Sequence, residues 1–119
     1  MGNIKFNYLY RDGANFKSWG SVIFENPDWL ILVEVESRLT ANFLPDNLFI
    51  AHQISIPEKF LFSKGNFTKN DHCYHEFESV EICDDAPTDI SGRSITTFLN
   101  DVALAAKQGW EAFEILDHV

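Results

Sequence analysis

Residues 94–109 read SITTFLNDVALAAKQG, and this stretch decides the class of the fold. Its apolar residues recur at steps of three and four, the spacing that places side chains on one face of an α-helix. Ser94 stands where a helix N-cap is favoured, and Gly109 is suited to end the helix, with Trp110 expected to fold back onto its last turn. The sequence therefore predicts a helix whose buried face carries Ile95, Phe98, Leu99, Val102 and Ala106.

Upstream of this helix the pattern changes to the two-residue alternation of β-strands. Residues 5–11 alternate between aromatic and polar side chains, 12–13 is an Asp-Gly turn, and 19–25 resumes a β-rich run. These features predict an antiparallel hairpin. A short strand is expected at 48–51. A longer strand is expected at 75–83, before an Asp-Asp-Ala-Pro turn.

The segment 26–42 carries conflicting signals. An Asn-Pro-Asp sequence at 26–28 suits the first positions of a helix, whereas the residues after it, WLILVEV, have the composition of a strand. Because four apolar residues fall on one helical face, we predict a helix from this sequence to residue 42. Its buried face would carry Leu32, Val35, Leu39 and Phe43. Polar residues 63–71 are expected to form a surface loop, and the tail after 109 fits either a strand or a helix.

These elements follow the order ββ-α-β-β-α, which predicts a single α+β domain over residues 1–119. The sheet is expected to be mostly antiparallel, with both helices packed on one face. No repeat, low-complexity segment or linker divides the chain. The second face of the sheet would then be exposed, and a binding partner would use it.

Composition limits the classes of function. Of the 119 residues 45% are hydrophobic, yet no apolar run approaches the roughly 20 residues that span a bilayer. The start, MGNIKFNYLY, lacks the basic and continuous apolar regions of a secretory signal, so a cytoplasmic protein is expected. The formal charge of −9 disfavours direct binding to nucleic acid or to an anionic membrane. It favours a cationic protein partner, and the sequence leaves a homo-oligomer open.

Residues 71–89, DHCYHEFESVEICDDAPTD, concentrate the side chains that could carry chemistry. His72, His75 and Glu76 offer ligands for zinc or another divalent metal, which would make the protein a metal-dependent hydrolase. The spacing argues against this alternative, because His72 and His75 point to opposite faces of a regular strand and converge only through a turn or bulge. A nucleophilic pair of Cys73 and His75 is weaker still, since no flanking signature accompanies the cysteine. No other cofactor signature is present.

The same stretch holds seven acidic residues and no lysine or arginine. Like charges on one strand repel, so we expect most of these carboxylates to lie in solvent and some to form the rim of a protein-binding face. The residues assigned to this face are Glu76, Glu78, Glu81, Asp84 and Asp85. Alternatives are acid/base chemistry by Glu76 and Glu78, or imitation of the phosphates of nucleic acid. The favoured interpretation is a small acidic, non-enzymatic module for protein interaction or regulation.

Short motifs are spread over most of the chain: YRDG at 10–13, NFK at 15–17, FIAHQ at 49–53, IP at 56–57, DH at 71–72, HEF at 75–77 and PTD at 87–89. Together they resemble a family of small, uncharacterised bacterial proteins. The resemblance implies a bacterial cytosolic protein. It implies no activity, since none is known for the family, and it assigns no catalytic role to any residue.

Overall fold

The computed structural model describes residues 2–61 and 72–114, and its elements follow the predicted order. Within these residues the fold is α+β, as predicted: a four-stranded antiparallel sheet and two α-helices. Short 3₁₀ turns at Pro45–Asn47 and Ala51–Ile54 flank the third strand. The elements are β1 (Asn3–Arg11), β2 (Lys17–Phe24), α1 (Leu32–Thr40), β3 (Leu48–Phe49), β4 (His75–Cys83) and α2 (Ile95–Gln108).

The strand order in the sheet is β2-β1-β4-β3, so β1 and β4 lie in the centre. β1 pairs with β2 as the predicted hairpin and with β4 along its other edge, where Ile4 faces Ile82. The register of β1 and β4 shifts between Asn7 and Tyr8. β3 is much shorter than β4 and pairs only with its first two residues. Seven of the nine residues of the central strand β4 therefore have a strand neighbour on one side only within the described residues.

α2 has the boundaries that the sequence predicts. The hydroxyl of Ser94 accepts a hydrogen bond from the backbone N–H of Thr97, and Gly109, at a φ of 102°, follows the last helical residue. Phe98 is fully buried and stacks on Phe24 of β2, with ring centroids 4.4 Å apart. The buried residues of the helix are Ile95, Phe98, Leu99, Val102 and Ala105, with the neighbouring Ala106 only partly covered.

Both helices contribute to one core on the same face of the sheet. Ile4, Phe6 and Tyr8 of β1 share this core with Val35 of α1 and with the apolar face of α2. Their alternation along β1 is the pattern that predicted a half-buried strand. The core therefore lies between the sheet and the helix layer.

Trp110 extends the core beyond the end of α2. Its ring packs against Phe43 and Phe49, and its indole N–H donates to the carbonyl oxygen of Asn42 at 2.9 Å. The sequence predicted a contact with the last turn of α2. The structure shows that Trp110 packs against the core cluster that includes Ala105 of α2, and that it also joins the segment after α1 to β3.

α1 begins later than predicted. The side chain of Asn26 brackets a turn, because its Oδ1 accepts the N–H of Leu30 and its Nδ2 donates to the carbonyl of Leu30, both at 2.9 Å. These bonds replace the expected helix start, and the helix begins at Leu32. The predicted helix face is confirmed: it comprises the buried residues Val35 and Leu39, with Leu32 and Phe43 packed beside them.

The remaining predictions concern β3, the tail, the loop at 63–71 and the absence of a membrane span. β3 is confined to 48–49 rather than 48–51, since Ala51 begins a 3₁₀ turn. Residues 109–114 form neither the strand nor the helix considered for the tail. The loop predicted at 63–71 and the tail from 115 lie outside the described residues. No helix in the described ranges is long and apolar enough to cross a membrane.

The connection from β4 to α2, residues 84–94, is tied to the fold at two points. Thr88 exchanges two hydrogen bonds with the backbone N–H and C=O of Ile23 on β2, both at 2.9 Å. Arg93, whose side chain is only 8% exposed, pairs with the buried carboxylate of Asp89 at 2.8 Å. The chain that follows the acidic end of β4 is therefore firmly attached.

Candidate functional site

His72 lies against the end of β1 and is held by backbone groups. Its Nε2 is 2.8 Å from the carbonyl oxygen of Arg11, and its Nδ1 accepts the N–H of Tyr74 at 3.0 Å. Because Nδ1 is an acceptor, Nε2 carries the proton and donates to Arg11. Both ring nitrogens are thus occupied, so His72 fixes the chain before β4 rather than offering a ligand atom.

His75, the first residue of β4, is fully buried. Its Nε2 accepts the backbone N–H of Lys59 at 2.8 Å, and no described residue gives its Nδ1 a hydrogen bond of good geometry. Burial lowers the pKa of His75 to about 4, against the opposing effect of the Cys73 carbonyl. The imidazole is therefore neutral at physiological pH. It is enclosed by the rings of Tyr8, Tyr10, Phe49 and Phe60.

Glu76 is engaged by a cation from β1. The guanidinium of Arg11 donates to both carboxylate oxygens of Glu76, each at 3.2 Å, and the hydrogen bond and charge of Glu76 raise the pKa of Arg11. His72 and Glu76 do line a common cleft of about 210 Å³, together with Arg11, Asp46 and Tyr74. Because Arg11, His72 and Glu76 already bond to the protein, these three residues leave no convergent set of open ligand positions in the cleft.

The structure gives no support to the metal centre considered at His72, His75 and Glu76. The first imidazole is bound to backbone groups, the second is enclosed in the core, and the carboxylate is paired. Residues 2–61 and 72–114 contain no group of three His, Cys, Asp or Glu side chains that could hold a metal ion. Cys73 is likewise buried, and its sulfur accepts the N–H of Phe113 at 3.5 Å. An exposed nucleophile is absent at this position.

The predicted exposure of the acidic face is found at four of its five residues. Glu78, Glu81, Asp84 and Asp85 are exposed, whereas Glu76 is half-buried in its ion pair. The exposed carboxylates do not form an uninterrupted negative surface, however. Two lysines, Lys5 of β1 and Lys59, line the same shallow depression as Glu78 and Glu81. Asp84 and Asp85, in the turn after β4, form no ion pair with a described lysine or arginine.

An apolar groove of about 340 Å³ opens beside this turn, at the end of β4. Trp29 is 65% exposed and Ile82 is 48% exposed, although both side chains are large and apolar. Ile82 faces the buried Ile4 in the register of the sheet, so it belongs to the core face. The groove is therefore a continuation of the core that the helices do not cover. It is lined by Gly2, Asn26, Trp29, Leu30, Ile31, Leu32 and Ile82.

Trp29 holds an unusual backbone conformation in this groove. Its φ is 58°, in the left-handed region that a bulky side chain rarely adopts. Such a conformation costs on the order of 1–3 kcal/mol and persists only where neighbouring contacts enforce it. The hydrogen bonds between Asn26 and Leu30 on either side provide that constraint. Strained, exposed aromatic residues are typical of binding sites.

The sequence does not predict this groove, because a helix over 26–42 with one apolar face gives Trp29, Ile31 and Val33 no role. All three are exposed in the structure. This surplus of apolar residues outside the predicted face was the available signal, because a helix of a monomeric protein needs only one such face.

Comparisons of the chain with protein-family models, with curated proteins and with solved structures find no match.

Proposed function

We propose that this chain is a small, non-enzymatic interaction module that binds a protein with a cationic surface. The apolar groove carries the proposal, because it is open to solvent beside the acidic turn of Asp84 and Asp85. Exposed apolar surface with a charged rim is typical of protein-binding sites. Tryptophan is enriched among the residues that dominate binding energy, which gives Trp29 the leading role.

In this proposal the carboxylates steer the partner and the groove holds it. A formal charge of −9 attracts a cationic protein over distance and accelerates association. Asp84 and Asp85 follow Ile82 of the groove closely in the chain, whereas Glu81 and Glu78 lie on the opposite face of the sheet, in the depression that Lys5 and Lys59 also line. Glu76 contributes least, because Arg11 neutralises it. We assign the protein to the cytoplasm, because Cys73 and Cys83 are free, as is usual in a reducing compartment.

The two alternatives from the sequence gain no comparable support. A hydrolase needs open ligand or acid/base groups, and the histidines are committed to structural hydrogen bonds. A mimic of nucleic acid needs a regular row of negative charges. Lys5 and Lys59 interrupt that row beside Glu78 and Glu81.

Site-specific photo-crosslinking tests the proposal. A photoreactive amino acid replaces Ile31 in the apolar groove or, as a matched control, Leu104 on α2; both side chains are more than half exposed. In cells of the source organism, we expect position 31 to crosslink one protein that position 104 does not. Equal crosslinking at both positions, or none at 31, would contradict the proposal.

The captured protein then allows a kinetic test. Replacing Glu81, Asp84 and Asp85 by Gln, Asn and Asn should slow its association and weaken the dependence of the association rate on salt. Trp29→Ala should instead accelerate dissociation, because it removes the side chain that fills the contact.

A further inference from the structure

The outer edge of β4 is paired over only two residues. β3 pairs with His75 and Glu76, and the described part of the chain places no strand alongside the remainder, up to Cys83. A strand edge without a neighbour exposes backbone N–H and C=O groups that another chain can bind.

The register of the sheet identifies the direction of these groups. On β2, the N–H and C=O of Ile23 bond to Thr88 and so point away from β1. Lys5, the partner of Ile23 on β1, therefore points its own backbone groups toward β4, where it faces Glu81. Glu81 is thus hydrogen-bonded to β1.

The neighbours of Glu81 must then have the opposite orientation. Because backbone groups alternate along an antiparallel strand, Val80 and Ile82 direct their N–H and C=O to the outer edge. No described residue forms a hydrogen bond with these groups. Unpaired backbone groups are stable only in contact with water. α1 runs close to β4, yet Val80 is partly exposed and Ile82 is 48% exposed, so water reaches these two residues.

The open edge and the apolar groove meet at Ile82. Its backbone faces the edge, and its side chain lines the groove. A strand added here would place alternate side chains on the groove side, with a Cβ about 5 Å from that of the residue opposite. The residues between them would lie on the other face, beside Glu81 and Glu78, which are both exposed.

Charge decides which chain fits this edge. A second copy would oppose Glu81, Asp84 and Asp85 to the same residues, between two chains of formal charge −9 each. Like charges on paired strands are destabilising, which protects the edge from self-association. A segment with basic residues on the same face as Glu81 would be attracted instead.

We infer that the partner binds as an extended segment that adds a fifth strand to the outer edge of β4, with alternating basic and apolar residues. Its backbone bonds to Val80 and Ile82, one apolar side chain enters the groove beside Trp29, and its basic residues lie beside Glu81 and Glu78. This mode combines affinity from backbone hydrogen bonds with specificity from side-chain pockets. It rests on the proposed function and specifies how that site recognises its partner.

A synthetic peptide tests the inference without knowledge of the partner. The probe is acetyl-Lys-Val-Lys-Ile-Lys-Val-Lys-amide, and two controls carry N-methyl groups on alternate residues, one set each. N-methylation removes backbone donors and keeps every side chain and charge. The control that loses the donors facing β4 should bind about tenfold more weakly than the parent, whereas the other control should bind like the parent. Amide exchange of Val80 and Ile82 should slow at least about tenfold in the complex.

A pair of variants gives an independent readout. Ile82→Pro removes an N–H that points to the open edge, so pairing with β1 is retained, as is usual for proline in edge positions. It should abolish peptide binding, whereas Ile82→Ala keeps the N–H and should weaken binding by only a few-fold. The wild-type experiment with methylated peptides remains decisive if the proline variant fails to fold.

The outcomes separate the two proposals. Equal binding of all three peptides, with unprotected amides at Val80 and Ile82, would overturn strand addition and leave binding of cationic proteins intact. Absence of any binding would also overturn strand addition, and crosslinking at position 31 would then judge the proposed function alone. Sedimentation of the free protein as a dimer at micromolar concentration would overturn the choice of occupant.

Discussion

The two ends of β4 have the same alternation of side chains and opposite environments. The first four residues read HEFE, and residues 80–83 read VEIC. His75 and Phe77 are buried, whereas Ile82, on the same core face, is 48% exposed. The enclosed end is covered by β3 and the segment around Lys59, and the open end is not. Burial along a strand is therefore decided by distant segments that cover it, not by its own pattern.

The polarity of the two ends is also the reverse of what hydropathy alone dictates. A histidine occupies the enclosed end and an isoleucine the open end. The histidine is retained by one backbone hydrogen bond and by aromatic packing. An exposed isoleucine alone is ordinary, but Ile82 shares a groove with the exposed Trp29 and Ile31, and this apolar patch is what points to a partner.

The largest expected effect compares apolar truncations at the two ends. Phe49, which pairs with His75, is fully buried among aromatic rings, so Phe49→Ala should lower the free energy of unfolding by about 3–5 kcal/mol. Ile82→Ala should lower it by less than about 1 kcal/mol, because a half-exposed side chain leaves no enclosed cavity. Urea denaturation of both variants measures the difference. Similar losses would mean that the open end is covered in solution.

The second prediction sets the boundary of the open end. Arg93 holds the connection after β4: it pairs with Asp89 and donates to the carbonyl oxygens of Ile54 and Ser55. Arg93→Ala should cost about 3–5 kcal/mol, because it leaves the carboxylate of Asp89 buried without its cation. Asp101, the exposed second partner of Arg93, provides the control, and Asp101→Asn should cost clearly less. If Arg93→Ala is as mild as this control, the open region extends through 84–94.

The third prediction concerns the protonation of His75, at the enclosed end of β4. An unfolded histidine takes up a proton near pH 6.5, whereas burial lowers the pKa of His75 to about 4 in the folded protein. Protonation therefore favours the unfolded state. The contribution of neutral His75 to the free energy of unfolding is complete above pH 6.5, and it falls by about 3 kcal/mol as the pH is lowered to 4. Denaturation midpoints between pH 7 and pH 4 measure this loss.

The matched variant for this titration is His75→Gln, which keeps a hydrogen-bond acceptor for Lys59 and does not titrate. It should be less stable at pH 7 and lack most of the loss between pH 6.5 and 4. Burial raises the pKa of Asp89, but the hydrogen bonds and charge of Arg93 outweigh it and hold that pKa below its ordinary value. The stabilising contribution of the Asp89 carboxylate is therefore lost only below the range from pH 6.5 to 4. A variant with the same pH dependence as the wild type would contradict the assignment to His75.

Local patterns in the sequence were sufficient for most of the fold. Periodicity and end signals located α2, β4 and the hairpin, because each of these is stabilised by contacts that its own residues specify. The start of α1 was wrong for a specific reason. Asn26 is a good capping residue in either structure, and its two bonds to Leu30 close a turn instead of opening a helix.

The candidate site was less predictable, because it depends on contacts between distant residues. The sequence could indicate that Asp84 and Asp85 lie in solvent, since acids in a turn are ordinarily hydrated. It could not show that Arg11 neutralises Glu76 or that Lys59 covers His75, since these partners are far apart in the chain. The groove likewise required Ile82 to be placed beside Trp29.

The smallest expected effect belongs to the carboxylates of the open end. Asp84→Asn and Asp85→Asn should change the free energy of unfolding by no more than about 0.5 kcal/mol, because both side chains are exposed and form no ion pair among the described residues. The direction should be a slight gain, since each change removes repulsion within a chain of formal charge −9. Glu76→Gln is the matched control at the enclosed end, where the loss of the Arg11 ion pair should make the variant less stable than either asparagine variant. Thermal melts at low and at moderate salt measure both quantities, and the gain at the open end should shrink as salt screens the repulsion. A clear loss of stability in Asp84→Asn or Asp85→Asn would show that these carboxylates serve the fold, and the acidic rim would then no longer be free to attract a partner.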